Sequence, residues 1–384
     1  MRSGFVSILG RPNAGKSTLL NALVGEKVAI VTSKPQTTRN RITGVLEVAA
    51  SSSKGVKRPA AQIVFVDTPG VHKPGTQLDR RMMQEVYDAL ETRDVVMLLV
   101  DASRELQLEE ELKAEEVSPL RALGEGDATE VEVLEAEKKV EHRPNWRSED
   151  EFIFGLVSKL DCPVFLVINK IDLIQREQLL PLIDRLMKRH PFAEVFPISA
   201  RKRDGLDRLV EKLVDTLPQG ERYFPPDQFT DQPERFLVAE LIRERILMET
   251  GEEVPYAAAV VIEKFEEPPP QPAKPKKPRP IKGGGLAEVK LPVTSISAVI
   301  YCERDGQKAI LIGKGGVKLK AIGTSARKEI ESLLGTRVYL ELHVIVEPGW
   351  RESRGFIDTL DWRRQLEDMA NRQADDKDAD SSEE

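Results

Sequence analysis

Through about residue 217, short apolar runs alternate with stretches whose apolar residues recur every three to four positions. The first pattern predicts strands and the second helices. Phe5-Val6-Ser7-Ile8-Leu9 reads as a short buried strand, and Thr18-Leu19-Leu20-Asn21-Ala22-Leu23-Val24 as the helix after it. Ile42–Val48 and Ile63–Val66 are further strands around a Ser/Lys/Pro-rich insert, Ser51–Pro59. Asp94–Val100 and Pro163–Ile168 are nearly unbroken apolar runs, as strands covered on both faces require. Val195–Ile198 is the last strand and Asp204–Leu217 the closing helix. The alternation predicts an α/β domain with a doubly wound, mostly parallel sheet and helices on both faces.

Past Tyr223-Phe224-Pro225-Pro226-Asp227 the order changes. Glu234–Glu249 carries Phe236, Leu237, Leu241, Ile242 and Ile246 on one helical stripe. Tyr256–Phe265 and Val293–Glu303 read as strands, followed by a helix, a Gly-rich turn, a second helix and a strand, Arg337–Glu347. This is an α+β domain. Between its first two strands, Pro268–Gly285 holds seven prolines, five basic residues and three closing glycines, which describes an extended cationic loop. The expected division is a nucleotide-binding domain over 1–218, a linker over 219–233, a second domain over 234–350 with an insertion at about 266–286, and an acidic, unstructured tail over 351–384.

Composition adds that the 384 residues, 40% hydrophobic and 32% charged, describe a soluble globular protein of two or so domains. No apolar run has bilayer length and no signal pattern precedes the first strand, which points to the cytoplasm. Cys162 and Cys302 fall in different predicted domains, so they read as reduced thiols. His72, His142, His190 and His343 show no metal-ligand spacing. The formal charge of −7 is unevenly spread. Glu105–Glu151, which takes in an acidic insertion at about 105–144, carries −10, and Ala374–Glu384 carries −5, so the remainder is +8. That remainder suits a nucleic-acid partner.

The chemistry begins at Gly10-Arg11-Pro12-Asn13-Ala14-Gly15-Lys16-Ser17, which fits G-x-x-x-x-G-K-[S/T] between a strand and a helix. Its glycines let backbone N–H groups converge on phosphates, and the helix N-terminus adds partial positive charge. Lys16 is placed to bridge the β- and γ-phosphates, and the Ser17 hydroxyl to ligate Mg²⁺. Asp67-Thr68-Pro69-Gly70 matches D-x-x-G: the Asp can hold Mg²⁺ through a water, and the Gly can offer its N–H to a γ-phosphate. Asn169-Lys170-Ile171-Asp172 matches N-K-x-D. A carboxylate at Asp172 accepts from both the ring N1–H and the exocyclic amine of guanine, whereas adenine would leave it unpaired. Asn169 would support the loop, the Lys170 stem would pack on the base, and a backbone N–H at Ser199-Ala200 would meet the guanine oxygen. The joint match selects GTP over ATP.

In the second domain, Ile312-Gly313-Lys314-Gly315-Gly316 is a G-x-x-G turn between helices, and Arg304–Lys328 carries +6. Such a unit beside a strand edge is how KH domains clamp about four single-stranded nucleotides. Gly313, Gly315 and Gly316 let the sugar-phosphate backbone approach, Lys314, Lys318 and Lys320 neutralise phosphates, and Ile310, Ile312 and Ile322 line the base groove. The element order makes this a type II KH domain.

Gly10–Ser17, Pro35-Gln36-Thr37-Thr38-Arg39, Asp67–Gly70, Asn169–Asp172 and Ile198-Ser199-Ala200 together resemble the Era family of translation-factor-related GTPases. Pro255-Tyr256, Gly306-Gln307-Lys308, Ile322-Gly323-Thr324 and Gly349-Trp350-Arg351 extend that resemblance through the second domain. It implies a GTP/GDP switch hydrolysing GTP, with Thr38 joining Ser17 and Asp67 on Mg²⁺ when the γ-phosphate is present; Thr37 is the alternative. It also implies binding of 16S ribosomal RNA near its 3′ end, assembly of the small (30S) ribosomal subunit, and peripheral membrane association. Val71 stands where Ras-like enzymes carry a water-orienting Gln, so slow intrinsic hydrolysis is expected. Asn13 resembles the Asn with which cation-dependent members hold K⁺, and with Lys16 it would stabilise the transferring phosphoryl group. Two rival readings are an RNA-binding module whose nucleotide domain is no functional switch, and an adaptor docking proteins through its insertions.

Overall fold

The computed structural model describes residues 1–53, 56–72, 74–111, 146–251, 254–268 and 292–365. They divide into two compact units. Met1–Ala29, Thr38–Gly75 and Asp79–Asp231 form the first; Ile30–Thr37, Thr76–Leu78 and Gln232–Glu384 form the second.

The first unit is built on a six-stranded sheet of β1 (Arg2–Gly10), β2 (Ile42–Val48), β5 (Ala61–Asp67), β6 (Val95–Asp101), β7 (Val164–Asn169) and β8 (Glu194–Pro197). Their order across the sheet is β2-β5-β1-β6-β7-β8, with β2 antiparallel to β5 and every other pair parallel. Every residue of β5 and β7 is buried, and β7 accordingly reads as a nearly unbroken apolar run. Side chains alternate between faces. Val6 and Ile8 of β1 meet Leu19, Leu20, Leu209 and Leu213 from helices α1 (Lys16–Val24) and α6 (Leu206–Thr216). Leu9 faces the other way, toward Val86, Ile153, Val157 and Leu182 from α2 (Gln77–Glu91), α4 (Trp146–Val157) and α5 (Arg176–Met187). A sheet so covered leaves its strand ends as the open ground, and the motifs lie there: Gly10 ends β1, Asp67 ends β5 and Asn169 ends β7.

One expectation changes in this unit, and the acidic insertion is partly helical. The Ser51–Pro59 insert is no plain loop, since β3 (Ser51–Ser53) and β4 (Val56–Arg58) pair as an antiparallel hairpin. The acidic insertion begins as ordered helix, α3, over 102–111. Its Glu105 and Glu109 pair with Arg185 of α5 at 3.1 and 2.6 Å. Residues 112–145 of that insertion lie outside the described residues.

The second unit holds α7 (Glu234–Glu249), β9 (Ala259–Glu266), β10 (Val293–Cys302), α8 (Asp305–Ile312), α9 (Val317–Leu334) and β11 (Arg337–Val346). Its sheet runs β11-β10-β9, with β10 parallel to β11 and antiparallel to β9. Val238, Ile242 and Ile246 of α7 pack with Ile296, Ala298 and Ile300 of β10 and with Ala326 and Ile330 of α9. The strand expected from Tyr256 starts only at Ala259, because Val254–Ala257 forms a helical turn. Pro255 suits a first turn, where no N–H is needed. The tail expected to be unstructured from 351 is ordered to 365. Arg354–Thr359 is helical, Trp350 is buried with its Nε1 donating to the Ala257 carbonyl at 2.8 Å, and Trp362 packs against Phe236 and Leu237. Three apolar side chains, Trp350, Ile357 and Trp362, outweigh the charges around them. Most of the Pro/Lys-rich loop and residues 366–384 lie outside the described residues. Among the described residues no helix is long and apolar enough to cross a membrane.

Candidate nucleotide and RNA sites

At the end of β1 the chain needs backbone shapes that side chains resist. Gly10 (φ 156°) lies so close to β6 that a Cβ would stand 2.4 Å from the Leu99 carbonyl oxygen. Gly15 (φ 96°) caps α1, and a Cβ there would stand 2.4 Å from Asn169 Nδ2. Asn13, between them, is left-handed (φ 63°) and exposed. Pro12 packs against Gly70, Ala14 is buried, and Arg11 pairs with Asp150 of α4 at 2.6 Å. Lys16 folds back into this loop, its Nζ donating to the carbonyls of Gly10 (3.1 Å) and Arg11 (2.9 Å).

Ser17, Thr38 and Asp67 converge beneath the loop. Ser17 Oγ lies 2.8 Å from Thr38 Oγ1 and donates to Asp67 Oδ2 at 2.6 Å; Thr38 Oγ1 is 3.5 Å from the same oxygen. Asp67 is fully buried, and its other oxygen, Oδ1, has no hydrogen-bond partner. Burial raises its pKa to about 6, against the pull of Lys16, and burial lowers that of Lys16 to about 8. Two hydroxyls and a carboxylate with an unpartnered buried oxygen are a donor set that fits Mg²⁺. Thr37, the alternative, turns away and bonds Thr32 Oγ1 and the Lys34 carbonyl, both at 2.7 Å. Thr68 is buried and ties its Oγ1 to the Ile8 carbonyl at 2.8 Å. Pro69 leads into Gly70, and the Val71 N–H donates to the Gly10 carbonyl at 3.2 Å, docking this loop on the phosphate loop.

Asn169 joins the two halves of the pocket. Its Nδ2 donates to the Ala14 carbonyl at 2.9 Å and its Oδ1 accepts from the Ala200 N–H at 3.0 Å. The N–H expected to meet a guanine oxygen is thus already engaged, because the buried Asn169 amide needs its acceptor satisfied too. Lys170 (φ 63°) reaches Asp101 Oδ2 at 2.6 Å, and Ile171 donates its N–H to the Ile198 carbonyl at 3.3 Å. Asp172 accepts from Ser199 Oγ at 2.7 Å, which holds its carboxyl below the usual range. Sequence reasoning missed Asp101, Asp150 and the Ser199 hydroxyl as partners. Nothing near them in the chain signals these contacts, which the sheet order brings about.

In the second unit, Gly313, Gly315 and Gly316 all have positive φ (71°, 65° and 77°), and no atom would meet a Cβ at Gly315 or Gly316. Lys314 and Lys320 are exposed and Lys318 is half-buried. Ile310 is 43% exposed, but Ile322 is fully buried in the core and lines no groove. It sits one turn inside α9, on the stripe shared with Ala326 and Ile330.

The sheet order, a glycine loop ahead of α1 and an Asp-ended strand facing it define a P-loop GTPase domain, here followed by a KH domain. Comparison with known proteins agrees: the profile of 50S ribosome-binding GTPases matches residues 5–125 and that of KH domains residues 281–351. The chain is 41% identical over 359 residues to GTPase Era of Geobacter metallireducens, covering 94% of this chain and 97% of that one. It is 40% identical to GTPase Era of Lacticaseibacillus paracasei over 358 residues, 93% and 96% of the two chains. A crystal structure of an Aquifex aeolicus Era point variant bound to GDP·AlF₄⁻ superposes with a TM-score of 0.70 at 36% identity, covering 94% of this chain and 99% of that one. An Era complex with MgGDPNP and nucleotides 1506–1542 of 16S ribosomal RNA gives 0.72 at 36%, covering 94% and 98%. The chain belongs to the Era family of GTPases.

Replacing Ser199 by Ala should raise the Asp172 pKa toward the ordinary carboxylate value, because the lost hydrogen bond favours the ionised form. Carboxylate titration by NMR reads this directly.

Proposed function

We propose that the protein is a GTP-operated switch that binds 16S ribosomal RNA through its KH domain and acts in assembly of the 30S subunit. The observation that carries the nucleotide half is the buried Ser17–Thr38–Asp67 cluster, with the Asp67 Oδ1 unpartnered. In this reading those three residues hold Mg²⁺, which when bound neutralises charge on the β- and γ-phosphate oxygens. Lys16 exchanges its two carbonyl partners for phosphate oxygens. The Gly70 N–H faces the γ-phosphate. Val71 offers no acid or base, so the chain supplies positioning and electrostatics rather than a side-chain proton acceptor. Asp172, ionised and oriented by Ser199, reads the guanine N1–H and amine, while Asn169 keeps the base loop and phosphate loop in register.

The RNA half is supported by the exposed Gly313–Gly316 turn with Lys314, Lys318 and Lys320 around it, and by the Era complex that contains a 16S segment. Nucleotide control is supported by the division of one short segment. Thr38 bonds Ser17 in the first unit, while the carbonyl of its chain neighbour Thr37 accepts from Arg243 of α7 and the Val31 N–H donates to Glu244 at 2.9 Å, within the second. Ordering of Thr38 by nucleotide therefore pulls on a segment that α7 holds. We place the protein in the cytoplasm; peripheral membrane contact rests on the family resemblance alone. Asn13, held left-handed and exposed in the phosphate loop, is our candidate for positioning K⁺.

Three measurements check this. Asp172→Asn should weaken GTP binding by at least about a hundredfold relative to ATP, read by competition titration. GTP hydrolysis should be faster in potassium than in sodium buffer, and equal rates would remove the role given to Asn13. Affinity for the 3′ segment of 16S RNA should differ between the GTP-analogue and GDP forms; identical affinities would leave a binding module without a switch.

A further inference from the structure

His72 follows the Asp67–Gly70 stretch by two residues and its ring stands between two acceptors. Nδ1 lies 2.9 Å from the Gly70 carbonyl oxygen and Nε2 lies 3.1 Å from Asp79 Oδ1 at the start of α2. Asp79 Oδ2 in turn accepts from the Gly75 N–H at 3.1 Å. A carbonyl and a carboxylate only accept, so both contacts are hydrogen bonds only when both ring nitrogens carry a proton. An imidazolium satisfies both contacts, whereas a neutral ring satisfies one. Two carboxylates face the ring, Asp79 from α2 and Glu149 from α4. The hydrogen bond to Asp79 raises the pKa above the usual His value, with burial opposing it.

The carbonyl that His72 grips belongs to the Gly70–Val71 peptide, whose N–H is bound to Gly10 of the phosphate loop. That single peptide is therefore held at both ends. There is no slack on its remaining side, since a Cβ on Gly70 would stand 2.7 Å from Pro12 Cγ and 2.8 Å from the Pro12 Cα and N. Val71 itself is fully buried and carries no polar group. We propose that His72, as an imidazolium braced by Asp79, is a positioning residue for GTP hydrolysis, fixing the Gly70 backbone so that its N–H meets the γ-phosphate. This rests on the reading of Gly70 as the γ-phosphate contact. It provides a positively charged brace beside the residue position that here holds only Val71.

The sign of the pH dependence follows. A His whose folded pKa is raised keeps its contact at low pH and loses it as pH rises through that pKa. The full chain should therefore show a GTP turnover number that falls as pH rises above the ordinary His range, through loss of the imidazolium. His72→Gln can still donate to one acceptor but carries no charge. It should lower the turnover number roughly tenfold, leave KM within about twofold, and leave only the alkaline fall that deprotonation of Lys16 causes. Asp79→Asn, which removes the brace and leaves the ring, should move the fall to lower pH. A flat wild-type profile overturns the proposal without any variant. So does His72→Gln with unchanged turnover, with the wild-type alkaline limb, or with its whole loss in KM. The affinities of the unaltered chain separate the underlying reading: if GTP analogue and GDP bind equally tightly, Gly70 is no γ-phosphate contact and the proposal falls for that reason instead.

Discussion

Burial of Asp67 beside Lys16 is the constraint on which the nucleotide site depends. Both groups lose water, and both pKa values move toward neutrality, to about 6 and about 8. A carboxylate with one oxygen unpartnered and an ammonium resting on two carbonyls are costly in a buried setting. In the proposed reading each would be relieved by a ligand of the opposite sign: a divalent cation at Asp67, phosphate oxygens at Lys16. The site is thus built around charges that the fold alone leaves poorly satisfied.

Holding that arrangement is a matter of strand ends. The parallel sheet brings Gly10, Asp67 and Asn169 to one edge from three stretches of chain, and Asn169 bridges the Ala14 carbonyl to the Ala200 N–H. Loops placed this way gain precision from a rigid scaffold. Gly15 shows the tightness involved, because its missing side chain is the space that the Asn169 amide occupies. His72 extends the same logic to the loop after β5, where charge and close packing substitute for a side chain that acts on water.

The KH unit uses the opposite strategy. Its Gly313–Gly316 turn is open rather than packed, and lysines stand around it without ion pairs among the described residues. In the proposed reading, affinity there comes from phosphate neutralisation, which suits exposed cations. Beneath the turn, Ile322, Ala326 and Ile330 join the core and hold α9 in place.

Local chemistry was legible in the residue order. Positive-φ glycines, the strand before each motif, the two parallel-sheet runs and the α7 stripe all follow from short-range sterics and apolar spacing. The motif spacing likewise nominates Lys16, Ser17, Asp67, Asn169 and Asp172 as candidate site residues. Partners far apart in the chain were not, because tertiary packing decides them. Lys170 meets Asp101 and Arg11 meets Asp150 only through the order of strands and helices. Thr38 was separable from Thr37 only once the backbone had turned one of them toward Ser17. Ile322 could not be assigned to groove or core from spacing alone, since helical periodicity marks a face without saying what lies against it. Trp362 reversed the expectation of a loose tail because its burial against Phe236 and Leu237 depends on two helices meeting. The Gly70 carbonyl acquired a charged partner for the same reason: a ring two residues on faces a carboxylate that only the start of α2 could supply.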